Sequence, residues 1–259
     1  MATKKATSSE ALETTKPAAL AVPAFMQGST GAGTEQIGRE DMTLPRLAIA
    51  QSNSPAAKKS SPERIEGLEE GQLYNTLTRE IVGEAVDVIP ILYFPGYIKF
   101  AGEGETGVKG IRSNADNIPP AELEFGEAGE KPIWTKLFNF LCLIPARGEI
   151  VIVSMKSTGA RVAKQWNRWM SLKLRKEDGT FWQPDAFSFR YTVSTVAEHK
   201  NTFDYFNFEV DFQRRQFVNE DTYEACKKMY QEVSGVDLSQ RMDTSGLETE
   251  AKGSEDIPF

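Results

Sequence analysis

Two stretches of strict alternation limit what this chain can become. Phe187, Phe189, Tyr191 and Val193 alternate with Ser188, Arg190, Thr192 and Ser194. Phe206, Phe208, Val210 and Phe212 alternate with Asn207, Glu209 and Asp211. Successive side chains of a strand point to opposite faces, so a period of two marks strands with one buried and one wet face.

Other strand signals precede these. Leu44 to Gln51 is a short apolar run containing Pro45, which suits an edge or a strand start. Gln72 to Thr78 follows a Gly-rich approach. Ala85 to Phe100 is long and β-rich, and Pro90 and Pro95 predict a bent strand or two strands. Trp134 to Ile144 and Glu149 to Lys156 read as a hairpin around Pro145-Ala146-Arg147-Gly148. Residues 102–130, rich in Gly, Asn, Pro and Glu, read as a long loop insertion.

Helical spacing appears twice. Val162, Trp166, Trp169 and Met170 form one apolar stripe, with Arg161, Lys164, Arg168 and Arg175 on another face. A closing helix starts at Asn219, an N-cap residue with Glu220 and Asp221 in its first turn. It presents Tyr223, Cys226, Tyr230 and Val233 on one face and ends at Gly235. The predicted class is mainly β (α+β), an elaborated OB-fold-like barrel with a helix between its third and fourth strands and a C-terminal helix. The core spans residues 41–237. Residues 1–40 read as a disordered arm and 238–259 as an acidic disordered tail.

Charge is segregated along the chain. Its formal net charge is −7. Residues 60–130 hold 14 acidic and 5 basic side chains, whereas 131–217 hold 14 basic and 8 acidic. The last 24 residues hold 6 acidic and 2 basic. A basic central block followed by an acidic end fits an anionic partner at the centre.

Catalytic and metal chemistry find little material. Cys142, Cys226 and His199 offer no zinc-ligand spacing and no disulfide framework, so no metal and no cofactor are expected. Gly102, Gly104 and Gly107 match a dinucleotide fingerprint in letters, but no helix start follows and Glu103 and Glu105 would repel phosphate. The chain is expected not to be an enzyme. With no apolar run near 18 residues and no signal sequence, it reads as cytoplasmic, in the host cytoplasm if phage-encoded, without a membrane partner.

The sharpest motif is the end, Glu255-Asp256-Ile257-Pro258-Phe259. It resembles the tip of bacterial and bacteriophage single-stranded DNA-binding proteins, where acids precede Ile-Pro-Phe. In overall layout the match is to the phage type. This tip has only two adjacent acids, preceded by Gly253 and Ser254, which lowers the expected affinity. The resemblance implies docking into replication or repair proteins. Phe259 would fill an apolar pocket, Pro258 would limit the entropy lost, and Glu255 and Asp256 would steer toward a basic rim.

A single strand needs flat side chains for its bases and cations for its phosphates. The candidates are Tyr93, Tyr97, Lys99, Phe100, Trp134, Lys136, Phe203 and Tyr205, with Lys156, Arg161, Arg190, Lys200, Arg214 and Arg215 as phosphate ligands. The expected function is sequence-independent single-stranded DNA binding in replication or recombination, with homo-oligomers possible. The alternatives are a strand-annealing recombination protein, an adaptor acting through the tip alone, and an enzyme of nucleotide metabolism or a nuclease.

Overall fold

The computed structural model describes residues 23–24, 32–36, 38, 41–101, 107–126, 131–200 and 203–247, the side chains of Lys200 and Phe203 excepted. Contacts divide the chain into Met1–Gln36 and Ile37–Phe259. Within the first unit the Gly33 amide donates to the Glu35 carboxylate at 2.8 Å. Every strand and helix named below belongs to the second.

The strands are β1 (Arg46–Ile49), β2 (Leu73–Asn75), β3 (Ile81–Gly83), β4 (Ala85–Phe100), β5 (Val108–Arg112), β6 (Trp134–Ile144), β7 (Glu149–Met155), β8 (Leu174–Arg175), β9 (Phe181–Trp182), β10 (Phe189–Lys200) and β11 (Phe203–Phe217). Two helices accompany them, α1 (Ala160–Met170) and α2 (Glu220–Val233). The protein is mainly β, an α+β fold. One curled sheet has the order β11-β10-β4-β6-β7-β1-β2-β3, with β5 added to β4. A separate ribbon pairs β8 with β9.

The curl follows from β4. Its first four residues pair with β10, while Ile89 to Lys99 pair with β6. The register slips between Pro90 and Leu92, because Pro90 has no amide to donate to the ladder. The expected bend is therefore present within one continuous strand. Side chains from β1, β2, β4, β6, β7, β10 and β11 then meet in one core around Trp166 of α1. The Trp166 ring stacks on Phe140 at 4.3 Å and meets the edge of Tyr191 at 5.7 Å.

Where β1 ends, Gln51 continues its work with a side chain. Its amide donates to the Phe206 carbonyl at 2.7 Å and accepts from the Phe206 N–H at 2.9 Å. One carboxamide thus replaces a peptide unit and ties the β1 end to β11. Gly71 sits beneath with φ +84°, and a Cβ there would lie 2.6 Å from the Phe206 ring. Only glycine fits both the dihedral and the space.

The other face of β4, β6 and β7 is also buried. Ile89, Ile91, Ile98, Leu137, Leu141, Leu143 and Ile152 pack under Cys226 of α2 and under Leu238, Met242 and Leu247. The Asn219 carboxamide caps α2 by accepting from the Thr222 N–H at 2.9 Å, as expected. The segment after α2 departs from expectation. Leu238 to Leu247 is packed against the sheet, with Leu247 fully buried. The Leu44 N–H donates to the Arg241 carbonyl at 2.8 Å, and the Leu44 carbonyl accepts from the Asp243 N–H at 3.0 Å. The buried Arg46 guanidinium donates to the carbonyls of Asp243 at 2.9 Å and Ser245 at 2.7 Å. Polar composition suggested disorder there, but three apolar residues and a buried cation supply the anchoring energy.

Three further expectations change. The stretch read as a loop, 102–130, contains β5 and a 3-10 turn at Pro120–Glu122. Arg175 lies in β8, past the end of α1, so it is not part of the helical basic row. Phe187 falls in a 3-10 turn and packs on Tyr223 of α2 at 5.1 Å, outside the β10 alternation.

Arg46→Ala is expected to lower unfolding free energy by about 3 kcal/mol, because carbonyls of the C-terminal segment lose their buried donor. Urea denaturation measures the loss, and limited proteolysis should show new cutting beyond residue 237. An Asn219→Ala chain, by comparison, should lose only about 1 kcal/mol.

Candidate functional site

Beyond the barrel core, β4 and β6 continue together and β5 joins them. Tyr97 lies opposite Lys136 on one side and Arg112 on the other. Lys99 lies opposite Trp134 and Gly110. Directly paired residues share a face, so Tyr97, Lys99, Arg112, Trp134, Lys136 and Phe138 occupy one surface of this three-stranded extension. Four residues predicted from sequence, Tyr97, Lys99, Trp134 and Lys136, are brought together here.

The contacts within the group are specific. The Arg112 guanidinium sits 5.1 Å from the Trp134 ring centroid, and Lys136 Nζ lies 5.2 Å from that of Phe138. The Trp134 indole donates to Glu122 Oε2 at 3.0 Å. A Cβ at Gly110 would stand 3.0 Å from the indole, so the missing side chain admits the ring. Trp134 is buried, Tyr97 and Lys99 are half-buried, and Lys136 is exposed. A cation within about 6 Å of a ring gains about 0.5–1 kcal/mol at such sites and is held in place. The result is a preset surface of rings and positive charge.

Arg112 was not among the sequence candidates. It lies in β5, whose five residues include a glycine and show little apolar pattern. The one available signal was Val108 and Ile111 just ahead of it, too short to separate from a loop.

Three other candidates near this extension are engaged elsewhere. Phe100 points to the opposite face, where Lys156 Nζ lies 4.8 Å from its ring centroid. Lys156 also donates to the Leu247 carbonyl and is buried, so its charge serves the packed C-terminal segment. Tyr93 packs its ring 5.3 Å from Phe140 in the inner core. Burial there raises its pKa, partly offset by a hydrogen bond with Asn167 of α1.

The remaining candidates lie on β10, β11 and the start of α1. Glu198 pairs with Arg161 at 3.6 Å and accepts from the Tyr205 hydroxyl at 2.7 Å. Tyr205 is pushed up to about 12, first by burial and then by the hydrogen bond and charge of Glu198. Its half-buried ring lies on the face of β11 opposite the Phe206, Phe208, Phe212 row, and Asn207 on that same face is buried, so the face expected to be wet is partly covered there. Lys200 and Phe203 pair at the hairpin end, and their side chains lie outside the described residues. At the far end of these strands, Arg190 pairs with Asp87 at 3.4 Å and Arg214 with Asp211 at 3.7 Å. Arg215 lies over the rings of Trp169 and Phe189.

The tip, Glu255-Asp256-Ile257-Pro258-Phe259, lies outside the described residues, as do Gly102 and Gly104. His199 is in β10, with Nδ1 2.7 Å from Asp204 Oδ1 on an exposed surface. Among the described residues no group of three or more His, Cys, Asp or Glu side chains is placed to hold a metal ion. No helix among them is long and apolar enough to cross a membrane.

No curated protein and no solved structure matches the chain. A family model described as Pam3 phage gp34-like protein matches residues 13–239, which takes in every strand and both helices and stops within the packed segment after α2. The chain belongs to the Pam3 phage gp34-like protein family.

Proposed function

We propose that this phage-family protein binds single-stranded DNA without sequence preference and recruits replication or repair proteins through its last five residues. The observation that carries the reading is the face shared by Tyr97, Lys99, Arg112, Trp134 and Lys136. Rings and cations alternate there at strand spacing, which suits bases stacking while the backbone follows the charges.

Strand order supports placing that face on an OB-type barrel. Taking β4, β6, β7, β10 and β11 as strands one to five, the sheet order reads 5-4-1-2-3, with α1 between the third and fourth. Strand one pairs with strand four at its start and strand two along the rest. In OB folds the face of strands two and three and the loops between strands one and two and strands four and five bind oligonucleotides. Here the outer face of strands two and three is covered by α2 and residues 238–247. Binding then falls to the connection after strand one, which is the β4–β5–β6 extension. It also falls to the β10–β11 hairpin end, with Lys200, Phe203, Tyr205 and Arg161.

The acidic tip complements these surfaces. Beyond Leu247 the chain has four carboxylate side chains against Lys252. The same cations that hold phosphates would attract this segment when DNA is absent.

Anisotropy of labelled oligo-dT against a matched duplex, titrated across salt concentrations, tests the reading. Tight single-strand binding with a falling log K is expected; equal or absent binding to both removes it and leaves an adaptor acting through the tip. Tyr97→Ala should weaken binding about five-fold or more, the low end for one stacked base. Lys136→Ala should reduce the log–log salt slope by about 0.7. Removing residues 248–259 should raise affinity, most at low salt, while abolishing partner capture by the tip. An unchanged affinity would exclude competition by the tail.

A further inference from the structure

The pairing of β10 with β11 contains a large irregularity. Arg190 pairs with Gln216 and Thr192 with Asp211, so two steps on β10 face five on β11, three more than a regular ladder allows. The excess is held by Asp211, whose Oδ1 accepts from the amides of Gln213 and Arg214 at 3.1 and 3.0 Å. Bulges re-aim side chains, and this one turns Arg215 back over α1 and β10.

Arg215 then sits between two rings, 4.5 Å from Trp169 and 4.7 Å from Phe189. Its Nη1 is buried and has no hydrogen-bond partner. No carboxylate among the described residues answers its charge. The nearby acids Asp87 and Asp211 pair with Arg190 and Arg214 instead. Beside the guanidinium opens a cleft of about 510 Å³ lined by Trp169, Leu174, Phe189, Phe212, Arg215 and Phe217. Phe217 is 64% exposed, its ring tilted 4.5 Å from Phe189 and stacked 6.3 Å from Trp182. A large exposed ring beside a half-buried guanidinium whose buried Nη1 has no partner offers a ligand two contacts at once.

We propose that this cleft is a subsite for one nucleotide of the bound strand, its base against Phe217 and the cleft rings and its phosphate on Arg215. The proposal rests on the single-stranded DNA reading and adds a second, built contact to the β4–β5–β6 face. A flat base matches the ring-lined walls, and a phosphate supplies the acceptor and charge that Arg215 lacks. Cleft volume falls within the range of small-ligand sites.

The test uses the full chain with dT oligomers, and the variants Arg215→Gln and Phe217→Ala, each checked for native thermal unfolding. Phe217 is largely exposed, so its variant folds even where loss of the Arg215 sandwich weakens the fold. Phe217→Ala should weaken binding about five-fold or more with the salt slope unchanged. Arg215→Gln should weaken binding and cut the slope by about 0.7. Lys136→Ala serves as the reference on the other face. Weakening in Lys136→Ala, with both cleft variants folded and binding like the unaltered chain, overturns the subsite alone. No binding by the unaltered chain overturns the DNA reading beneath it.

Discussion

Burial of β4, β6 and β7 on both faces is the constraint from which the rest of this fold follows. Inner-face residues such as Val88, Phe140 and Val153 meet α1 and the curled outer strands, and outer-face residues such as Ile91, Leu141 and Ile152 meet α2 and the segment after it. A sheet with two apolar faces needs two covers, and each methylene hidden contributes about 0.8 kcal/mol. Curling β10 and β11 around α1 makes the inner cover. The outer one requires residues 238–247, which is why Arg46 and Lys156 spend buried charge on backbone carbonyls there. These donors satisfy carbonyls of the covering segment that burial would otherwise leave without a partner.

That arrangement leaves no free face at the centre of the sheet. Open surface occurs where strands outrun their covers. β4 and β6 do so toward Lys99 and Trp134, and β10 and β11 do so at both ends. Chemistry-bearing residues collect at these places because packing does not dictate their identity. The bulge in β11 belongs to the same logic. The slip at Pro90 in the core is small, whereas the larger irregularity of β11 falls near its strand end, beside α1.

How much of this was readable depended on whether a local signal and a tertiary one agreed. The β6–β7 hairpin was legible because two apolar runs flank Pro145-Ala146-Arg147-Gly148, and Gly148 takes the positive φ such a turn needs. α2 was legible because Asn219, two acids and Gly235 punctuate it. β5 was not, since its support is tertiary, the edge of β4 and the packed segment after α2, and its Gly110 admits a ring 24 residues away. The packing of Leu238, Met242 and Leu247 was hidden because three apolar residues spaced by polar ones show neither period. For the site, residue types pointed to Tyr97, Lys99, Trp134 and Lys136, yet type alone could not tell exposed Lys136 from buried Lys156. That distinction lies in which face of its strand each occupies and in what covers that face.

The packed segment also fixes where any tail function acts. Leu247 is buried and its carbonyl is held by Lys156, so the chain leaves the sheet from a fixed point. Twelve residues remain, and a fully extended chain of that length spans at most about 40 Å. Under the proposed function, a partner engaged by the tip would be held close to the sheet, and any cation the tip meets in the same molecule would be met at the high effective concentration of a short tether. Under that function, weak attraction would suffice for the tail to compete with DNA at low salt, and screening would weaken both interactions together. Two adjacent acids in place of a longer run fit such an economy, because proximity supplies what charge number does not.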